Sequence, residues 1–245
     1  MNLLLLDPSE PDDRGLVTLA DGRATHLVEV VKVTPGRTVR VGLIDGPIGR
    51  AVVTALAGQR VTLQCTFART IPPRPSVDLL LALPRPKVMR RLWAQLAALG
   101  VGRIILTNAE RVERPYFDTH VLSPECYRPL LVEGLQQARD TRLPVVSIHR
   151  RFRTLVEDEL DTLVPGARRL VADPGGTAAI GDAAQGADRV LVAVGPEGGW
   201  NAFELDLLSA HGFQPISLGP RTLRTDTACV ALLALTHAAM PGRGV

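Results

Sequence analysis

The sequence predicts an α/β protein in which a small β-barrel domain precedes a domain built on a parallel sheet. Residues 1–71 contain short β segments separated by Gly and Pro, which is typical of a small barrel. Residues 71–75 read Ile-Pro-Pro-Arg-Pro, and prolines at this density can continue neither a helix nor a central strand. After them apolar strands alternate with helices, which favours a mainly parallel sheet with helices on both faces. We therefore expect two domains, at 1–71 and 76–245.

The first domain carries the alternation of apolar and polar residues that half-buried strands require. The alternation is clearest at 38–41, Thr-Val-Arg-Val, and at 61–65, Val-Thr-Leu-Gln-Cys. One or two helical turns are expected at 24–32, with His26, Val30 and Val33 on one face. The predicted strands of this domain lie at 16–19, 37–43, 50–55 and 60–67.

The spacing of apolar residues is different in the second domain. Residues 77–82 form a continuous apolar run, as in a strand buried on both faces. Residues 87–99 have the 3.6-residue spacing of an amphipathic helix, and Gly100 follows as a C-cap. Further strands are predicted at 103–107, 145–149, 169–172, 189–194 and 214–218. Further helices are predicted at 124–139, 154–163, 201–211 and 226–239, the third of them opened by an Asn-x-x-Glu capping box.

Composition excludes several classes of protein. Apolar residues make up 46% of the chain and charged residues 22%, which is ordinary for a folded soluble protein. The longest mainly apolar stretch, 228–240, is too short to span a bilayer, so we expect no membrane segment. The three cysteines are scattered and the five histidines lack ligand spacing, so neither disulfides nor a metal site is expected. This cysteine usage favours a reducing, cytoplasmic setting.

The charge pattern points to a polyanion partner for part of the chain. The net charge is +3 overall, but +5 over residues 72–169 and −3 over 170–245. The sequence contains no phosphate loop, nucleophile elbow or zinc-protease motif. The strand at 77–82 is followed by Leu-Pro-Arg-Pro-Lys instead of the glycine fingerprint of a nicotinamide dinucleotide fold.

A glycine-rich loop at 195–199, Gly-Pro-Glu-Gly-Gly, directly follows an apolar strand and precedes a helix. Open parallel sheets bind ligands at the carboxyl ends of their strands, and glycines there expose backbone N–H groups with little side-chain bulk. The loop is therefore either a ligand-binding segment or a tight turn.

A second loop, 218–228, also lies between an apolar strand and a helix. It reads Leu-Gly-Pro-Arg-Thr-Leu-Arg-Thr-Asp-Thr-Ala. Thr225 or Asp226 is able to cap the following helix. Capping does not account for Arg221 and Arg224, which we expect to be buried in this apolar context and to contact an anion or a transition state.

These two loops, with Glu204 between them, resemble the signature of the RsmE family of SPOUT-class methyltransferases, which methylate N3 of a uridine in bacterial 16S ribosomal RNA. The stretches 26–36, 98–104 and 133–144 also resemble family segments, in the expected order. The sequence departs from the family pattern at four places. Asp226 stands where glutamate is usual, Val31-Lys32 where Leu-Arg is usual, and Asn201 where a small hydroxyl residue is usual. Gln136-Gln137-Ala138 is a variant of the middle motif.

The resemblance implies a C-terminal SPOUT domain knotted into a trefoil and an N-terminal PUA-like RNA-binding barrel. It also implies a homodimer, and S-adenosylmethionine held by the knot loops. The positions that it assigns to the cofactor are Ala172, Asp173, Pro174, Gly195, Pro196, Glu197, Gly198, Gly199, Leu218, Gly219, Leu223, Thr225 and Ala228.

Methylation at uracil N3 needs alignment of the base and removal of its proton, but no metal. Arg221 and Arg224 are expected to stabilise the developing imide anion, and Asp226 or Glu197 to accept the proton. The resemblance implies 16S ribosomal RNA as the substrate, alone or in the small subunit. Expected RNA contacts are Lys32, Arg85, Lys87, Arg90, Arg111, Gln137, Arg139 and Arg142. A ribose 2′-O methyltransferase acting on transfer RNA, a non-catalytic ribosome-assembly factor and a nicotinamide reductase are the alternatives.

Overall fold

The computed structural model of the protein describes residues 2–240, which form two compact units. Of the described residues, the first unit comprises 2–74 together with Val132–Leu143, and the second comprises Pro75–Leu131 and 144–240. The segment 132–143, which the sequence assigns to the second domain, therefore packs with the first. Two contacts hold it there: the Thr141 hydroxyl donates to the Gly46 carbonyl at 2.7 Å, and Arg142 donates to the Asp45 carbonyl at 3.0 Å.

The first unit is built on a five-stranded mixed sheet. Its strands are β1 (Leu4–Leu6), β2 (Leu16–Leu19), β3 (Thr38–Leu43), β4 (Ile48–Ala57) and β5 (Arg60–Phe67). Their order is β1-β3-β4-β5-β2, with β1 and β3 parallel and the other neighbours antiparallel. Four of these strands were predicted, whereas β1 was missed. Alternate residues of the strands bury one face, which forms the core of this unit.

The helical segment of the first unit starts as helix α1 (Gly22–Thr25), where the Asp21 side chain caps the Arg23 N–H. It continues as a π-helical turn, His26–Val30. The predicted apolar face is wrong at Val30, because the wider turn leaves this side chain 66% exposed. Leu27 and Val33 are buried instead.

The second unit is built on a seven-stranded sheet that is parallel throughout, which confirms the predicted α/β class with a parallel sheet. Its strands are β6 (Val77–Ala82), β7 (Val101–Thr107), β8 (Val145–His149), β9 (Arg168–Ala172), β10 (Ala178–Ala179), β11 (Val190–Val194) and β12 (Phe213–Ser217). The order is β10-β12-β9-β11-β6-β7-β8. The adjacent strands β6 and β11 are buried along their whole length, so the core of the unit lies at the middle of the sheet.

The longer helices match the predicted helices closely. Among residues 2–240, the α-helices after α1 are α2 (Pro86–Ala98), α3 (Pro124–Ala138), α4 (Phe152–Thr154), α5 (Leu160–Leu163), α6 (Ile180–Ala184), α7 (Ala202–Ala210) and α8 (Thr225–Ala239). A π-helical turn at Leu155–Glu159 joins α4 to α5, and two short 3-10 helices lie at Arg114–Asp118 and His120–Leu122. Gly100 ends α2 with φ of +75°, and Asn201 and Glu204 form the predicted capping box of α7. The N-cap of α8 is Arg224, without a side-chain capping bond, so the predicted cap at Thr225 or Asp226 is wrong. No helix of residues 2–240 is long and apolar enough to cross a membrane.

One carboxylate lies wholly inside the second unit, at the start of β6. Asp78 is fully buried, and its Oδ2 accepts a hydrogen bond from Arg189 Nε at 2.5 Å. Burial raises the pKa of Asp78 and outweighs the opposing effect of Arg189. The ionised carboxylate therefore depends on Arg189 for its stability in the folded protein.

Sheet order brings three loops together. Strand β9 lies between β12 and β11, and all three run in the same direction. The segments that follow them, 173–176, 195–200 and 218–224, therefore start at one edge of the sheet, where parallel sheets bind ligands.

Candidate functional site

A cavity of about 330 Å³ opens at this edge of the second unit. Its walls are the three loops and the first turn of α8, so segments far apart in the sequence share one space. The lining residues are Ala172, Asp173, Pro174, Val194, Gly195, Pro196, Glu197, Gly198, Gly199, Trp200, Ile216, Ser217, Leu218, Gly219, Arg221, Thr222, Leu223, Thr225 and Ala228. Every position that the resemblance assigns to the cofactor lies in this wall.

The loop 195–200 contains glycines at positions with close contacts or a positive φ angle. A Cβ atom on Gly195 would lie 3.1 Å from two atoms of the Trp200 indole and 3.2 Å from the Trp200 backbone nitrogen. Gly199 has φ of +74°, and its N–H donates to the Pro196 carbonyl at 2.8 Å. The loop is therefore a tight turn that also lines the cavity, and its binding of a ligand stays a prediction.

Trp200 anchors this loop and was not nominated from the sequence. Its ring packs against Phe152 with centroids 5.3 Å apart. The indole Nε1–H is buried without a hydrogen-bond partner among residues 2–240.

The loop after β12 owes its course to Gly219. Its φ of +97° is a conformation that L-residues with side chains rarely adopt, although a Cβ atom at this position would meet no other atom within 4 Å. The Ser217 hydroxyl accepts a hydrogen bond from the Gly219 N–H at 3.1 Å, which fixes the start of the loop. Leu218 and Leu223 contribute apolar surface to the cavity wall.

The third loop is held against β12 by its backbone. The Asp173 N–H donates to the Ile216 carbonyl at 3.0 Å, and Asp173 Oδ2 accepts from the Gly175 N–H at 3.1 Å. The carboxylate thus stabilises its own turn while it lines the cavity.

Residues in the segments that follow the neighbouring strands stabilise the glycine-rich loop. Glu197 Oε1 accepts a hydrogen bond from the Arg85 N–H at 3.3 Å, and Arg111 Nη1 donates to the Gly198 carbonyl. The buried Glu204 accepts from the Glu110 N–H at 2.7 Å through Oε1 while Oε2 closes the capping box. The segments after β6 and β7 therefore fix the loop that follows β11.

The three predicted catalytic residues are not equivalent in position. Arg221 lines the cavity, whereas Arg224 and Asp226 do not. Both arginines are exposed, so the expectation that they are buried is wrong, because the loop carries them out of the apolar layer. Asp226 Oδ2 instead accepts a hydrogen bond from Arg91 Nη2 at 2.9 Å. Partial burial raises the pKa of Asp226, but Arg91 and the N–H of the next residue lower it more.

The predicted RNA contacts fall into both units. Arg85, Lys87, Arg90 and Arg111 are exposed residues of the second unit, and Lys32, Gln137 and Arg139 are exposed residues of the first. Arg142 differs from them because its side chain is mostly buried and lies 3.8 Å from the Asp45 carboxylate.

Comparisons with known proteins define the class first. Residues 72–237 match the family model described as RNA methyltransferase domain. Ribosomal RNA small subunit methyltransferase E of Treponema pallidum (strain Nichols) is 30% identical over 250 residues, covering 97% of this chain and 92% of that protein. The protein of the same name from Mycobacterium bovis is 28% identical over 225 residues, with 90% and 86% covered. The chain belongs to the ribosomal RNA small subunit methyltransferase E family, as the sequence motifs predict.

Solved structures share the fold along the whole chain. Ribosomal RNA small subunit methyltransferase E from Neisseria gonorrhoeae, crystallised with S-adenosyl methionine, has a TM-score of 0.79 at 23% identity and covers 98% of both chains. A Legionella pneumophila protein crystallised with its bound cofactor SAM has a TM-score of 0.76 at 22% identity and the same coverage. At these identities the likeness concerns the fold.

Proposed function

We propose that this protein is an S-adenosylmethionine-dependent methyltransferase that methylates N3 of a specific uridine in bacterial 16S ribosomal RNA. The observation that carries the proposal is the single cavity formed by the loops after β9, β11 and β12. It gathers all the positions that the family motifs assign to the cofactor. The curated relatives that carry the name ribosomal RNA small subunit methyltransferase E support the substrate.

The chemistry of the cavity fits the methyl donor. Its volume of about 330 Å³ lies within the range of small-molecule sites. Leu218, Leu223 and Ala228 offer apolar surface to an adenine ring. When bound, S-adenosylmethionine supplies a methyl group on a sulfonium, which needs no further activation by the protein.

The task of the chain is then to align uracil N3 and to manage its proton. A guanidinium beside the base stabilises the imide anion that forms as N3 loses its proton. Arg221 suits this role better than Arg224 because it lines the cavity. Glu197 suits the role of proton acceptor better than Asp226 for the same reason. Only one of its oxygens is engaged, by the Arg85 N–H, whereas Asp226 is paired with Arg91.

The target uridine must be unpaired or turned out of its stack, because N3 lies on the pairing edge of the base. Exposed Arg85, Lys87, Arg90 and Arg111 supply phosphate contacts in the second unit. Within the same proposal, the first unit is a PUA-like RNA-binding domain and the C-terminal segment forms a trefoil knot. The exposed Val230 and Leu235 of α8 support a homodimer, since they offer apolar surface for a second copy. A ribosomal substrate implies action in the cytoplasm.

The test is transfer of a tritiated methyl group from S-adenosylmethionine to small subunits from a strain that lacks the gene, with bare 16S RNA alongside. The proposal predicts label in ribosomal RNA. Arg221→Ala should lose most of the turnover while calorimetry shows cofactor binding retained, and Arg224→Ala serves as the comparison because it lies outside the cavity wall. A protein that binds subunits without transferring label would be an assembly factor, which contradicts the proposal.

A further inference from the structure

A second cavity, of about 180 Å³, lies within the first unit and is not part of the site described above. Its floor is apolar: Leu4 and Leu27 are buried, and Val31 and Val39 are half-buried. Its rim is polar and exposed, formed by Asn2, Arg37, Thr38 and Arg40. The cavity is about half the volume of the first one, so it suits a single ring rather than a cofactor.

The arginines at this rim carry uncompensated charge. Among residues 2–240, the guanidinium groups of Arg37 and Arg40 have neither an ion pair nor a hydrogen bond. The same holds for Arg50, which lies outside the cavity wall on the neighbouring strand β4. Other arginines of the unit are neutralised, for example Arg23 by Glu10 and Arg74 by Asp45. Exposed Arg14 and Arg69 also lack an ion pair among the described residues, so Arg37 and Arg40 are distinguished by their place at the rim of the cavity.

Strand pairing concentrates this charge. Arg40 and Arg50 stand directly opposite each other on the antiparallel strands β3 and β4, a juxtaposition of like charges that destabilises a sheet. The strands β3, β4 and β5 contain no aspartate or glutamate that would offset it. An anion between the two guanidinium groups removes this repulsion, as a phosphate would.

The backbone beside the cavity is also available. Strand β1 pairs only with Val41 and the two residues after it, so the edge of β3 over 38–40 has no strand partner there among the described residues. Unpaired N–H and C=O groups along an exposed edge recognise partners by hydrogen bonds, as the edges of nucleobases do. With the Thr38 hydroxyl they give a polar wall above the apolar floor.

We infer that this cavity is a second RNA subsite, in which one unpaired base inserts over Leu27 and Val31 while its flanking phosphates bind Arg37, Arg40 and Arg50. The inference rests on the proposed function, because it takes the RNA substrate as the polyanion. Apolar burial of one base face, polar contact with its edge and a forked arginine on phosphate are the elements by which single-stranded RNA is recognised. The subsite holds RNA and takes no part in methyl transfer.

The test compares two double variants that remove the same charge from the first unit. Arg37→Ala/Arg40→Ala removes the rim, and Arg14→Ala/Arg69→Ala removes two exposed arginines outside the cavity. Fluorescence anisotropy with a short labelled single-stranded RNA is measured across a salt series. The rim variant should bind about tenfold more weakly near physiological salt, with a salt slope shallower by about 1.4, as expected for the loss of two phosphate contacts. The control variant should stay close to wild type.

A cavity-filling change tests base insertion separately from charge. Val31→Phe should weaken RNA binding without changing the salt slope, and its folding is checked by thermal unfolding. With small subunits as substrate, the rim variant should raise KM and leave kcat and the affinity for S-adenosylmethionine unchanged. Equal RNA affinity of the two double variants overturns the subsite. Failure of the wild-type protein to methylate subunits instead overturns the proposed function, so the two failures are distinguishable.

Discussion

Replacing Gly219 with alanine tests whether the backbone of the loop after β12 forms the cofactor site. The added methyl group meets no atom within 4 Å, so the substitution acts through the backbone alone. A residue with a side chain at φ of +97° costs about 1–3 kcal/mol. If the free loop relaxes and the bound loop cannot, this strain is subtracted from the binding free energy. The affinity for S-adenosylmethionine then falls by about 5- to 140-fold.

Gly212→Ala is the matched control, because Gly212 has φ of +81°, also has open space around it, and lies outside the cavity wall. Urea denaturation of the free proteins should show a loss of stability for Gly212→Ala and a smaller loss for Gly219→Ala, because the Gly219 loop relaxes when no cofactor is bound. Calorimetric titration with S-adenosylmethionine should show weaker binding for Gly219→Ala alone. Wild-type affinity for S-adenosylmethionine in Gly219→Ala, or an equal loss of affinity in both variants, would contradict a role for this loop backbone in the cofactor site.

Three further substitutions probe the contacts that support the site and the sheet. Arg91→Met should raise the pKa of Asp226, because the hydrogen bond that favours the carboxylate is lost; NMR titration of the carboxyl carbon measures the shift, and an unchanged midpoint contradicts it. Glu204→Ala should lower the free energy of unfolding by about 2–4 kcal/mol, since two backbone N–H groups lose their acceptor; a loss under 1 kcal/mol in urea denaturation would argue otherwise. Arg189→Met should cost about 2–3 kcal/mol near neutral pH, because it removes the side chain that donates a hydrogen bond to the buried Asp78 carboxylate. With the pKa of Asp78 already raised by burial, that loss should shrink as the pH falls and the carboxyl becomes protonated, and a deficit independent of pH contradicts this.

Local sequence patterns predicted most of the helices and strands. The spacing of apolar residues indicates whether one face or both faces of such an element are buried. Strand β6 was predicted at its observed bounds, since its continuous apolar run matches burial on both faces. The capping box of α7 was predicted because both of its bonds join residues three apart. Strand β1 was missed because it is only three residues long and fully buried, without alternation, and its parallel pairing with β3 is long-range.

The wrong predictions assumed either a regular helical period or that a residue shares the burial of its neighbours in the sequence. The face containing Val30 assumed 3.6 residues per turn, but the chain there forms a π-helical turn. The predicted burial of Arg221 and Arg224 assumed that neighbours of apolar elements share their burial, whereas the loop is exposed. The pairing of Arg91 with Asp226 joins residues 135 apart, and no local signal marks it.

The glycine-rich loops marked two walls of the candidate site from the sequence. Their meeting depends on β9 lying between β11 and β12, an order set by long-range pairing that the sequence pattern does not contain. The third wall, 172–174, was therefore accessible only through the family resemblance. Trp200 stands next to the glycine-rich loop, and its position between that loop and a helix was the signal that could have marked it as a wall residue.

The position of the transferred methyl group tests the proposed function most directly. Small subunits from a strain that lacks the gene are incubated with the wild-type protein and S-adenosylmethionine, and the 16S RNA is digested to nucleosides for tandem mass spectrometry. Methylation at N3 predicts one new methylated uridine. Its methyl group should stay with the base on fragmentation, and it should block the pairing edge in primer extension. A methyl group retained on the ribose, or no methylated nucleoside at all, would contradict it.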